Sequence, residues 1–79
     1  MILHLMFSYY SVLYLLYDNK LPLSSKPAEY LISSRNKLDS RDIREELCNF
    51  LAQLNITYTS IDLIRVSEIS EKEYSLKTV

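Results

Sequence analysis

The sequence contains no glycine and no tryptophan, and only one cysteine, one histidine and two prolines among 79 residues. Without glycine, collagen-like repeats, phosphate-cradling P-loops and dinucleotide-binding fingerprints are excluded, because each needs backbone geometry or close approach that glycine alone permits. A single cysteine rules out an internal disulfide framework. Cys48 and His4 together are too few ligands for a Cys/His zinc site within one chain. Charge is missing from one whole stretch: residues 1–17 hold no acidic or basic side chain. The net charge is −1, which removes the broad electrostatic attraction expected of a general nucleic-acid binder.

What remains has the make-up of a folded chain, with 48% hydrophobic and 24% charged residues. The length points to a single small domain over residues 1–79, divided into an uncharged apolar segment (1–17), a loop (18–27) and an α/β part (28–79). A chain this short buries only about 60–65% of its unfolded surface, so its stability margin is thin without a partner. Basic side chains outnumber acidic ones between residues 18 and 44, and acidic ones outnumber basic ones after that. The basic cluster Arg35, Lys37, Arg41 and Arg44 is interleaved with Asp39 and Asp42, as on a solvated face rather than a binding tail.

In the apolar segment, His4, Ser8, Ser11 and Asp18 recur at the spacing of one helix face, interrupted by Leu15. Leucine, methionine and the length of the run favour a helix from Ile2 to Tyr17. The competing reading is a buried strand over residues 11–17, apolar on both faces. As a membrane span, 17 helical residues reach about 25 Å against a hydrocarbon core of about 30 Å. Tyr9, Tyr10, Tyr14 and Tyr17 prefer interfaces to the bilayer centre. The segment also lacks the basic start and small-residue cleavage site of a secretory signal. A packed core element is therefore favoured over an uncleaved anchor.

Pro22 and Pro27 bracket the loop, and Pro27 stands where a helix over residues 28–37 would have its first position. Asp39 opens the best-signalled helix, with Asp42 three residues on and Leu38 and Ile43 placed as a hydrophobic staple. Ile43, Leu47, Phe50, Leu51 and Leu54 then form one apolar stripe, and Asn55 marks its stop. Residues 56–66 are rich in β-formers, and the alternation slips at Leu63-Ile64, which predicts two strand pieces or a bulge. Ser70 and Glu73 have the spacing of a capping box for a short helix over residues 71–77.

No convergent chemistry emerges. His4 has no acidic or cysteine neighbour, and Cys48 has no adjacent base or CxxC partner, so both read as packing residues. Glu45 and Glu46 diverge by about 100° on a helix and cannot act as a carboxylate pair. The acceptor pattern Asn55-Ile56-Thr57 matters only in a secreted protein. The sequence therefore predicts no catalytic, cofactor-binding or metal-binding residue, no cofactor, and no small-molecule substrate.

Several stretches resemble the KaiB family, the thioredoxin-like circadian clock proteins. Val12-Leu13-Tyr14-Leu15 followed by Pro22-Leu23-Ser24 is similar to that family's first strand and Pro-x-Ser turn. Leu47-Cys48-Asn49-Phe50-Leu51 is similar to its first helix. Ile61-Asp62-Leu63-Ile64-Arg65, with Ile69, Glu71, Glu73, Leu76 and Thr78, is similar to its second strand and the acidic turn after it. The link between the first strand and the helix is longer here by roughly a dozen residues, a length a surface loop tolerates. The family's glycine after the first strand is replaced in the Asp18-Asn19 region. The chain also stops before the cis-proline turn and the remaining strands. The resemblance implies a regulatory, protein-binding module without thioredoxin-type redox chemistry.

The expectation from sequence is a small α/β domain: an N-terminal apolar helix or strand, a central amphipathic helix, one or two strands and a short C-terminal helix. Its expected role is a non-enzymatic, cytoplasmic protein-interaction module with a protein partner or a second copy of itself, and with no nucleic acid. The alternative is a membrane-associated accessory subunit anchored through residues 1–17.

Overall fold

Tyrosine, valine and leucine in unbroken succession suit a strand buried on both faces as well as they suit a helix, and the strand prevails. The computed structural model describes residues 6–79, so His4 and the first residues of the expected N-terminal helix lie outside the described part. The elements are β1 (Ser8–Asp18), β2 (Leu21–Pro22), β3 (Ala28–Ser34), α1 (Ser40–Gln53), β4 (Ser60–Ile69) and α2 (Glu71–Lys77). Strand β1 is central and every pairing is antiparallel. One edge of β1 takes β3 along Ser8–Tyr14 and β2 at Tyr17 and Asp18, while the other edge takes β4 along Tyr9–Tyr17.

This corrects the expected layout. The described residues form chiefly a four-stranded antiparallel sheet with two helices, and residues 8–17 of the expected N-terminal helix lie in strand β1. The helix expected over residues 28–37 is also replaced, by β3, in which Ala28, Tyr30 and Ile32 alternate with Glu29, Leu31 and Ser33. Part of the expected loop is the short strand β2. The last strand begins at Ser60 rather than Ile56 and runs on to Ile69.

The two faces of β1 explain why its polarity does not alternate. Tyr10, Val12 and Tyr14 lie on one face and are buried with Ile32 of β3 under Ile43, Leu47 and Leu51 of α1. Phe50 stacks on Tyr30 at 4.5 Å between ring centroids at the margin of this core. Tyr9, Ser11 and Leu13 point to the opposite face, where α2 lies: Tyr74 packs on Tyr9 at 4.8 Å between centroids. With helices on both faces, apolar residues are useful at odd and even positions alike.

Helix α1 forms where the sequence signals it. Asp39 caps the start, accepting a hydrogen bond from the Asp42 N–H at 2.8 Å, and Asp42 accepts one from the Asp39 N–H at 3.3 Å. The Tyr10 hydroxyl accepts from the Leu38 N–H at 2.9 Å, tying the helix entry to the central strand. At the other end Ile56 N–H bonds the Leu51 carbonyl and Asn55 N–H the Ala52 carbonyl, while Asn55 takes φ 56°. This is a Schellman ending with asparagine in the place glycine usually fills. Leu54, the last residue of the stripe, is 53% exposed.

The β1–β2 hairpin turns on Asn19 (φ 51°) and Lys20 (φ 69°) between the paired residues Asp18 and Leu21. Positive φ at both central residues is what a two-residue hairpin with the twist of its strands requires, and Asn-Gly is the sequence that adopts it most readily. Lysine there holds a strained backbone. On β4, Leu13 pairs with Arg65 and Tyr14 with Leu63, so Ile64 is a bulge, at the place where the alternation slips.

Two stability measurements test this arrangement. Leu47 is fully buried, so Leu47→Ala should cost about 2–5 kcal/mol in denaturant melts; a loss below about 0.5 kcal/mol would show that the helix does not pack as described. Lys20→Gly should instead raise stability by about 1 kcal/mol by relieving the left-handed backbone, and a destabilised variant would mean that the turn is not strained.

Candidate functional site

Among the described residues those with intrinsic reactivity are not gathered at one place. Cys48 lies half-buried on α1 beside Tyr58, whose phenol is pushed up by burial and then by its hydrogen bond with Cys48. A phenol held protonated is not a base that could activate the thiol. Glu45 and Glu46 are both exposed on α1. Among the described residues no three His, Cys, Asp or Glu side chains converge as metal ligands would.

A polar cluster that sequence spacing did not reveal forms between the sheet and α2. Ser11 of β1, the one buried polar residue among those described, donates its hydroxyl hydrogen bond to Glu29 of β3. The Lys77 ammonium at the end of α2 reaches the same carboxylate at 3.0 Å. These contacts hold the Glu29 carboxyl below the ordinary glutamate range, the Ser11 hydrogen bond first and Lys77 second, against a smaller opposing effect of burial. Around them Leu13, Arg65, Ser67 and Glu73 line a shallow groove of about 390 Å³. A carboxylate stabilised in its ionised form and paired with a lysine is a poor proton donor or acceptor near neutral pH. Its evident work is mechanical, since it fastens α2 across β1 to β3.

A second polar and aromatic group surrounds the start of β1. The Arg35 guanidinium stands 6.0 Å from the centroid of the Phe7 ring, and Lys37 reaches Glu68 at 3.8 Å. Both contacts are solvent-exposed and individually weak.

The remaining feature is an exposed strand. The outer edge of β4 pairs with no strand among the described residues, whereas both edges of β1 are filled. Ile64 and Val66 on β4 are 45% and 41% exposed. Ile61 and Leu63, on the first half of the same strand, pack against the core. Helix α1 thus covers one end of the strand and leaves apolar side chains beside open backbone hydrogen-bonding groups at the other. Such an edge is able to accept another strand. The sequence showed the apolar residues of this segment but not that they would lie at an edge, because strand order is not written in local pattern.

The Glu29 cluster generates a pH dependence with a definite sign. Because its folded-state value lies below the ordinary 4.5, Glu29 contributes stability that is present above that pH and is lost as pH falls through the folded value. Urea midpoints measured at about pH 6 and about pH 3 should therefore fall more for the native chain than for Glu29→Gln. Parallel losses in the two proteins would mean that the Ser11 and Lys77 contacts contribute nothing to folding.

Comparison with known protein families, with curated proteins and with solved structures finds no match for this chain.

Proposed function

We propose that the chain is a small non-enzymatic protein-interaction module that binds through the β4 side of its sheet. The observation that carries this reading is the pairing of an open strand edge with the exposed side chains Ile64 and Val66. An unpaired edge supplies main-chain donors and acceptors, and apolar side chains next to it supply the area whose burial drives association. Among the described residues the Glu29–Lys77 pair is occupied in holding α2 to the sheet.

A cytoplasmic location belongs to this reading. Among the described residues no helix is long and apolar enough to cross a membrane. A helical anchor over residues 1–17 would need residues 8–17, which here form all of β1 but its last residue.

The test is to measure complexes of the purified full-length chain, with itself or with a stoichiometric partner isolated by native crosslinking, beside the variant I64E/V66E. The variant should keep the native thermal melt and lose the complex. A native chain that remains a folded monomer and yields no stoichiometric crosslinked partner would overturn the proposal. Carbonate-resistant sedimentation with membranes would replace it by the anchored-subunit reading.

A further inference from the structure

We infer that the partner at the β4 edge is a second copy of this chain, joined by antiparallel β4–β4 pairing about a two-fold axis between Leu63 and Ile64. This rests on the reading of the chain as an interaction module and names the partner of the same surface. The argument comes from the order of residues on β4, Ser60-Ile61-Asp62-Leu63-Ile64-Arg65-Val66-Ser67. About that axis Leu63 meets Ile64, Asp62 meets Arg65, Ile61 meets Val66 and Ser60 meets Ser67. Apolar residues lie opposite apolar ones, serine opposite serine, and each acidic residue opposite a basic one. The axis generates every contact twice, so two Asp62–Arg65 pairs form. Shifting the register by one step in either direction separates the charges.

The bulge makes this register possible. In two strands related by a dyad perpendicular to the sheet, residues opposite each other must project from the same face. An axis between two consecutive residues of a regular strand would put them on opposite faces, since side chains alternate. Here Ile64 is extra, so the alternation is displaced by one residue at the axis itself. Asp62 pairs with Leu15 of β1 and Arg65 with Leu13, two β1 residues on the same face. Ile61 pairs with Leu16 and Val66 with Val12, both on the face toward α1. The face requirement is therefore met on both sides of the bulge. Asp62 and Arg65 make no ion pair within the chain among the described residues, and both are exposed. Association would bring complementary charges together and cover Val66 and Ile64, which α1 leaves open. Helix α2 does not obstruct the edge, because it runs back over the sheet toward Glu29 of β3.

The test uses the full chain and three charge variants, followed by sedimentation equilibrium at low salt with circular dichroism to confirm folding. D62R and R65D each replace two attractive contacts by two repulsive ones and should weaken self-association by about tenfold or more. The double variant D62R/R65D exchanges the charges and should recover it. Mixing the two single variants should give a heterodimer tighter than either homodimer, because the mixed pair again sets arginine against aspartate at both contacts. If the native chain is monomeric yet binds another protein in a manner lost with I64E/V66E, the self-pairing inference falls and the module reading stands. A dimer indifferent to all three charge variants would overturn the register. A folded monomer that binds nothing would overturn both readings.

Discussion

The contact of Tyr10, Val12 and Tyr14 with Ile43, Leu47 and Leu51 turns this chain into a folded protein. An isolated 14-residue helix is marginal in water, and the apolar face of the sheet needs a cover that keeps it from water. Each becomes stable by covering the other. The remaining arrangement follows from the position of the residues that make the contact. Because they sit on β1, that strand must be central, its edges must be filled by β3 and β4, and the helix must cross its face. The hydrogen bond from Leu38 to the Tyr10 hydroxyl belongs to the same joint, since it brings the start of α1 to the strand the helix covers. On the reverse side a lighter fastening serves, through Tyr9 against Tyr74 and Lys77 on Glu29. Ser11, buried beneath α2, is acceptable there because Glu29 satisfies its hydroxyl.

The lack of glycine has a structural cost at defined places. Asn19, Lys20 and Asn55 all take positive φ, and each turns the chain between elements that must meet. Asparagine tolerates this geometry through its short polar side chain, and lysine does not. The hairpin turn is nevertheless retained, because the pairing of Tyr17 with Pro22 and Asp18 with Leu21 and the bond from Leu23 to Leu16 hold both ends of it. Thr59 adds a further restraint by bonding Asn19 and Tyr17 from the start of β4. Strain at the turn is thus held by the strands it joins.

Legibility from sequence followed the range of the interactions. Helix α1 was readable to its ends because its caps, its staple and its buried stripe all lie within neighbouring residues. The bulge at Ile64 was readable because a break in alternation is local as well. Strand β1 was readable only as the competing alternative over residues 11–17, since its two covered faces erase the alternation that distinguishes a half-buried strand, and the length of the run favours helix. Strand β3 was missed because Pro27 suits a helix start equally well, although Ala28, Tyr30 and Ile32 do alternate with more polar neighbours. The Glu29 cluster lay beyond reach altogether, as its partners stand 18 and 48 residues away in sequence. Nor could any local pattern show that β4 would lie at an edge, with Asp62 and Arg65 exposed on it.

The central place of β1 in the sheet contrasts with its early place in the chain. Of the described elements it is synthesised first, and its last neighbour, β4, emerges only after the hairpin and the helix. Until then a tyrosine- and leucine-rich strand has one edge unpaired. Pairings that span so much sequence must close long loops before they are rewarded, which slows folding relative to a chain built from local contacts. The nascent chain therefore passes through a stage in which its most adhesive segment is exposed to other nascent chains or to a chaperone. The order of its strands exposes the chain to aggregation during synthesis, a hazard the finished fold no longer presents at β1.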